Sequence, residues 1–405
     1  MRYLFVHQNF PAQFLHLVRR LVAENRHDVV FISEANANQI RGVRKVIYQM
    51  PRGLNPEAHR DAQEFELAML RAEAVARTAA NLKALGYEPD VIIGHHGWGE
   101  LLNIADVWPD VPLLGYQEFY YRVSGTDVGF DPEFPTPVPA LSRVRAKNAV
   151  NLLTLTNPGH GQSPTVFQRS TYPDWAQGNI TVLPEGVNLE VCRPDPGAGS
   201  RPFELGGFVV PPGAPLLSYV SRDLEPYRGF HVVMRALPRL LRERPDLHVV
   251  MVGGDGVSYG ARLAEGTWKE RLLGEVGPLD PSRVLFPGRL DYDSYIRLLQ
   301  RSDCHVYFTY PFVASWSLRE ALACGCAIVA SDTAPVLEFV ADRATGLLSP
   351  FLDPGALADR VLEVLEDRAM TAGLRVAARA HAEATLSMPH YLDAYEALIA
   401  RVMAG

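Results

Sequence analysis

The sequence predicts an α/β protein of two Rossmann-like domains, each a doubly wound parallel sheet, with a ligand cleft between them. Three observations carry this. The chain has 405 residues, more than a single hydrophobic core ordinarily serves. Short apolar runs alternate with amphipathic stretches, and the alternation stops and restarts once; strand–helix alternation is the mark of βαβ units. Between about residues 192 and 215 proline and glycine dominate, as at an interdomain linker.

The elements follow in order. Residues 3–8 read as a strand, and 12–25 as a helix with apolar residues at helical spacing. Strands follow at 27–33 and 45–50, then a long helix over about 56–85. A strand at 91–96, a helix near 100–108 and an apolar stretch at 112–121 close the first series. After the linker come strands at 215–221, 247–254, 284–289, 304–310, 327–331 and 346–351, with helices at 231–244, 294–302 and 317–325. Near-continuous apolar strands suit a sheet covered on both faces. The tail from Pro354 is helical and is interrupted at Met388-Pro389, where proline breaks or restarts a helix. The expected domains are about 1–200 and 205–385.

Composition excludes several classes. A net charge of −7 opposes a nucleic-acid binder, which needs a basic face to displace phosphate counterions. Cys192, Cys304, Cys324 and Cys326 form no Cys-x-x-Cys pair, so they read as packing residues in a reducing compartment. The start of the chain shows no signal-peptide pattern, and no run of about 18 apolar residues spans a membrane. A cytoplasmic location is expected, with room for peripheral membrane contact. No Gly-x-Gly-x-x-Gly follows the first strand, which opposes NAD or FAD. Asp291-Tyr292-Asp293 has the form of an Asp-x-Asp metal motif, but an acidic turn before a helix explains it better. No metal and no resident cofactor are expected.

The candidate site residues cluster at strand ends. Arg222 and Arg228 flank a turn that leads through Gly229 into a helix. Two guanidinium forks beside a helix N-terminus make a diphosphate clamp; the competing reading is two solvated surface arginines. Gly254 and Asp255 lie in a glycine-rich turn. The loop of Ser315, Trp316 and Ser317 runs into a helix bearing Glu320, placed to accept from ribose hydroxyls or simply favoured in a first turn by the helix dipole. In the first half, His95 and His96 follow a strand in a glycine-rich turn, His95 being the stronger candidate and His96 the fallback. Gln8 and Asn9, after His7, and Glu118 and Tyr120, beside Phe119, end other strands and are candidates for holding an acceptor.

Together these motifs resemble the retaining glycosyltransferases of family 4, or group 1 transferases, over nearly the whole chain. Pro184-Glu185-Gly186-Val187-Asn188 is similar to the family's segment at the domain crossing, and Val284 to Gly288 to the segment that reads the base. Arg222 and Arg228 match the family's paired basic residues on the donor diphosphate. Glu320 matches the second Glu of its E-x7-E motif, which bonds the ribose, and His95 its histidine near the transferred sugar. The resemblance implies a GT-B fold, a final helix from about Pro389 that crosses back onto the first domain, and a UDP-, GDP- or TDP-linked sugar donor. It further implies front-face attack with retention, without metal or protein nucleophile. The expected function is transfer of a hexose-type sugar to a glycan, lipid-linked or small-molecule hydroxyl. The alternatives are a nucleotide-sugar 2-epimerase and a non-catalytic nucleotide-sugar-binding scaffold. The chain departs from the family at Phe312, where the first Glu of E-x7-E belongs, and at Ala12-Gln13, where a Gly-Gly belongs.

Overall fold

A computed structural model describes all 405 residues. They form two compact units, one of Met1–Glu185 with Pro389–Gly405 and one of Gly186–Met388.

The first unit holds seven strands: β1 Arg2–Val6, β2 Asp28–Ser33, β3 Val43–Ile47, β4 Val91–His95, β5 Leu113–Tyr116, β6 His160–Ser163 and β7 Ile180–Val182. All neighbours pair parallel, in the order β3-β2-β1-β4-β5-β6-β7. The order reverses between β1 and β4, where Leu4 of β1 pairs with Val30 on one side and Ile92 on the other. Leu4, Phe5 and Val6 are consecutive and all fully buried, so this sheet is covered on both faces. Behind it Val75, Leu101, Ile104 and Trp108 pack on Leu4, Val30 and Ile92.

In the second unit a small antiparallel hairpin, β8 Phe203–Leu205 and β9 Phe208–Val210, precedes a six-stranded sheet. Its strands are β10 Leu216–Asp223, β11 His248–Gly254, β12 Val284–Gly288, β13 Cys304–Tyr307, β14 Ile328–Ser331 and β15 Leu347–Ser349. They are again all parallel, in the order β12-β11-β10-β13-β14-β15. Here the order reverses between β10 and β13. In open parallel sheets of this kind, ligands bind outside the carboxyl ends of the strands at such a reversal.

Several sequence expectations are corrected. The proline- and glycine-rich stretch is no linker: Phe203, Phe208 and Val210 are buried on Leu216, Val250 and Leu298, inside the second unit. The long helix of the first unit begins at Gln63, not near 56. Helix Leu141–Thr154 and strands β6 and β7 carry too little apolar pattern to be read; β6 is His-Gly-Gln-Ser. The tail forms three helices, Pro354–Glu366, Arg368–Thr385 and Met388–Ala404, so Met388-Pro389 opens the last helix. That helix belongs to the first unit, where Tyr395 is buried and Arg20 reaches Asp393 and Glu396 at 2.7 Å each. Where the chain enters and leaves the second unit, Val187 and Ser387 form an isolated parallel bridge. No helix is long and apolar enough to cross a membrane.

Candidate functional site

In the first unit the reversal between β1 and β4 sets two histidines side by side. His7 follows β1 and His95 ends β4, with ring centroids 5.5 Å apart and nearly perpendicular. His7 Nδ1 accepts the Asn9 backbone N–H at 2.9 Å, and His95 Nδ1 accepts that of Gly97 at 2.9 Å. A neutral imidazole with an accepting Nδ1 carries its proton on Nε2. His95 Nε2 lies 3.5 Å from Glu118 Oε2, and the Trp98 ring stacks beside His95. Burial, with His95 nearby, pushes His7 down to about 3, so it is neutral at pH 7.

His96 belongs to the sheet interior instead. Its ring fills the space above Gly115, where an added Cβ would lie 1.8 Å from Nε2. Burial first, and His95 second, push it down to about 3. The fallback role for His96 therefore fails on position. Of the acceptor candidates, Glu118 reaches His95, whereas Asn9 touches the pair only through its backbone. Gln8 is half-buried, and its backbone carbonyl accepts from Glu34 N at 3.0 Å. Tyr120 turns toward Tyr172, centroids 5.7 Å apart, and donates its backbone N–H to Thr171 Oγ1. Phe119 is core.

In the second unit the β10–β13 reversal holds Arg228. Its Nη1 donates to Thr309 Oγ1 at 2.8 Å and to the Val313 carbonyl at 2.9 Å, and its guanidinium lies 4.8 Å over the Tyr259 ring. Arg228 is buried, so it is no solvated surface arginine; Arg222 is exposed at the end of β10. The two arginines of the expected clamp are thus unequal: one buried and held by hydrogen bonds, one exposed. Between Arg228 and helix Phe230–Glu243 stands Gly229 at φ +71, with an added Cβ 2.4 Å from Phe308 Cβ. Only glycine fits both the left-handed backbone and the contact.

A carboxylate pins the loop after β11. Glu225 is fully buried and accepts the backbone N–H groups of Ser258, Tyr259 and Gly260 at 2.8–3.1 Å. This loop brings Tyr259 onto Arg228 and onto Phe312, centroids 5.2 Å apart. Phe312 is buried, with Tyr227 edge-on to it at 5.4 Å. An added Cβ on Gly254 would lie 2.5 Å from Asp223 Oδ1. Asp255 is exposed in an ion pair with Lys269 at 2.6 Å.

Ser315 donates its backbone N–H to Tyr307 Oη at 2.7 Å, and its hydroxyl meets that of Ser317 at 2.6 Å. Trp316, the first residue of helix Trp316–Ala323, is 53% exposed. Glu320 lies on the same helix, with one carboxylate oxygen accepting from Tyr292 Oη and the other from Tyr295 Oη, both at 2.8 Å. Burial raises its carboxyl above the usual range; the two phenol bonds and Arg319 act against that. The Asp291 carboxylate accepts the Ser294 N–H at 2.9 Å, an N-cap as the acidic-turn reading has it. All four cysteines are buried.

Tyr259, Thr309, Tyr292 and Tyr295 escape a reading by motif. The one signal for the last two is their i, i+3 spacing, which stacks side chains on one helix face.

Residues 25–192 match a family model described as glycosyl transferase family 4 group, and residues 207–381 one described as glycosyl transferases group 1. A D-inositol 3-phosphate glycosyltransferase of Mycolicibacterium smegmatis is 30% identical over 227 residues, 56% of this chain and 48% of the relative. A glycogen synthase of Mycobacterium tuberculosis is 25% identical over 393 residues, 91% and 87% of the two chains. The chain thus spans about half the length of the first of these relatives. Two solved structures are similar in fold. A sucrose-phosphate synthase from Thermosynechococcus elongatus has a TM-score of 0.74 at 19% identity, covering 100% of this chain and 99% of that one. Anabaena Alr3699/HepE in complex with UDP-glucose has a TM-score of 0.67 at 17% identity, covering 99% and 100%. Nothing in these comparisons supports the 2-epimerase alternative.

Proposed function

The chain belongs to the group 1, family 4 glycosyltransferases and has the GT-B fold, and on that premise we propose that it moves a hexose-type sugar from a nucleoside-diphosphate sugar to a hydroxyl acceptor, with retention at the anomeric carbon. The observation that supports this best is the seat of Arg228, a buried guanidinium fixed at the strand-order reversal of the second sheet beside the start of a helix.

Charge develops on the diphosphate as its bond to the anomeric carbon breaks. A cation already desolvated and held stabilises that charge without reorganising, which is where electrostatic catalysis gains most. Arg228 is that fixed cation, and exposed Arg222 closes on the diphosphate from the end of β10. The two arginines supply the charge a metal would otherwise supply, so the reaction needs none. The acceptor oxygen attacks on the face the diphosphate leaves, and its proton passes to the departing phosphate oxygen. No protein nucleophile takes part. His95, with its proton on Nε2, donates to a hydroxyl of the transferred sugar and orients it. Glu320 accepts from the ribose, Ser315 to Ser317 with Gly254 and Asp255 line the donor side, and Gln8, Asn9, Glu118 and Tyr120 line the acceptor side.

The donor is UDP-, GDP- or TDP-linked; Anabaena HepE, solved with UDP-glucose, puts UDP-sugars first in any panel. The acceptor is a glycan, a lipid-linked sugar or a small polyol, and the setting is cytoplasmic polysaccharide synthesis, with peripheral membrane contact. The relatives named for inositol phosphate and glycogen chemistry support small-polyol and glucan acceptors for first trial. Phe312, buried among Tyr227 and Tyr259, is the feature favouring the non-catalytic scaffold. A panel of nucleotide-sugars, scored by thermal shift and then by transfer and hydrolysis, tests both. A donor at 100 times its Kd adds ~2.7 kcal/mol of stability. A donor that binds and is never consumed, with any acceptor or with water, hands the case to the scaffold.

A further inference from the structure

The Asp291-Tyr292-Asp293 segment invites a metal reading, yet its middle residue touches a different part of the site. Asp291 caps helix Tyr292–Arg301, and this start sets Tyr292 and Tyr295 on one face, three residues apart. Both phenols donate to Glu320, one to each carboxylate oxygen, at 2.8 Å. Tyr295 is 9% exposed and Tyr292 50%. The Tyr292 hydroxyl also lies 3.4 Å from Cys192 Sγ. A carboxylate gripped on both oxygens cannot rotate. Of its roughly four lone-pair positions, the phenols take two and leave one on each oxygen. That is the acceptor pattern a vicinal diol requires, since such a diol presents two donors side by side.

We propose that Tyr292 and Tyr295 are positioning residues for Glu320, holding its carboxylate as a preset acceptor for the 2′,3′-diol of a ribonucleoside diphosphate. This rests on the donor reading above and narrows it: ribonucleotide-linked sugars are favoured, and thymidine-linked ones, which lack the 2′-hydroxyl, are disfavoured.

The arrangement also sets a pH limit. Burial drives the Glu320 carboxyl toward its neutral form, and the phenol bonds oppose this. The titratable or charged groups that face it are Tyr292 and Tyr295 from helix Tyr292–Arg301, Arg319 from its own helix, and Cys192 and Cys324. Only the phenols donate to it. Removing one moves protonation of Glu320 to higher pH, and a protonated carboxyl has one acceptor fewer for the diol.

The test measures affinity for UDP, GDP and ADP and for their 2′-deoxy counterparts, by calorimetry between pH 5 and 8. Wild type should prefer the ribo form of whichever nucleotide it binds by about tenfold, ~1.4 kcal/mol. Tyr295→Phe, and independently the half-exposed Tyr292→Phe, should cut that ratio at least about threefold and shift its decline to higher pH. Glu320→Gln should abolish the ratio. If either tyrosine variant weakens ribo and deoxy forms equally, or keeps the wild-type ratio at every pH, the positioning role is wrong while the donor reading stands. If wild type binds none of the six nucleotides, the donor reading itself has failed and takes this inference with it.

Discussion

His7 and His95 stand edge to face, 5.5 Å apart, at the carboxyl ends of the two strands between which the first sheet reverses its order. Each has Nδ1 occupied by a backbone N–H two residues ahead, so each presents Nε2–H. Burial keeps His7 neutral, which spares His95 a like charge at close range. We expect His95→Ala to lower turnover at least about a hundredfold, within the range for a lost transition-state donor. Binding of the free nucleoside diphosphate should stay within about twofold. Equal losses in both would show that His95 supports the domain rather than the sugar.

The arginines should separate by position. Arg228→Ala strips one buried and one partly buried hydrogen bond from the loop after β13 and should cost about 2–3 kcal/mol of stability as well as donor affinity. Arg222→Ala removes an exposed side chain and should leave stability within about 0.5 kcal/mol while slowing transfer. Lys should rescue position 222 only in part, because it lacks the bidentate fork. Urea unfolding beside steady-state kinetics reads both effects, and unchanged transfer in Arg222→Ala would remove that residue from the mechanism.

Gly229→Ala should be among the most damaging single changes in the second unit. The left-handed backbone costs an L-residue about 1–2 kcal/mol, and the 2.4 Å approach to Phe308 Cβ adds overpacking of about 1–3 kcal/mol. Both strain the turn that carries Arg228. A variant as stable as wild type in chemical denaturation would show that the turn demands neither the left-handed backbone nor the close approach.

Phe312→Glu should not restore a lost activity. The carboxylate would replace an aromatic ring packed between Tyr227 and Tyr259, at a desolvation cost of about 1–3 kcal/mol. Transfer should not accelerate. A rise of tenfold or more, ~1.4 kcal/mol of barrier, would mean the carboxylate had been missing from the sugar contact after all.

Acid should weaken the first unit through His96. Its folded value of about 3 lies below the ordinary 6.5, so below pH 6.5 the unfolded chain binds the extra proton. Stability is therefore fully present above 6.5 and is lost as pH falls toward 3, by up to ~1.4 kcal/mol per pH unit. Glu100, Glu225 and Glu320, raised by burial, act with the opposite sign above about 4.5. The measurement is hence a difference: wild type against His96→Asn, unfolded in urea at pH 7, 6 and 5. Parallel pH profiles would refute the assignment.

Much of this is legible in the sequence where the physics is local. Fully buried parallel strands such as β1 and β11 announce themselves as apolar runs, and Arg222, Arg228 and Glu320 sit at recognisable strand and helix boundaries. What escapes depends on partners distant along the chain. Strand β6 carries no hydrophobic signal, because glycine and polar residues fill its place between β5 and β7. The hairpin at 203–210 hides in a composition that ordinarily marks linkers. Nothing in the spacing of Arg222 and Arg228 tells that one is buried, since Thr309 and Val313 lie some 80 residues further on. Tyr292 is masked by its acidic neighbours, which suggest a metal while Asp291 in fact caps a helix.

The last helix, held to Arg20 by Asp393 and Glu396, belongs with residues made far earlier, at the start of the chain. The second unit is accordingly an insertion in the first, entered and left by the paired segment at Val187 and Ser387. On the ribosome, the first unit must wait with its Arg20 side chain paired at most with Glu24 and lacking Asp393 and Glu396 until the whole second unit has emerged. A protease that cut at one crossing alone would leave the inserted unit covalently tied to the first through the other. Two cuts are needed to release it, and the remaining piece would then be two fragments joined only by the packing of that helix.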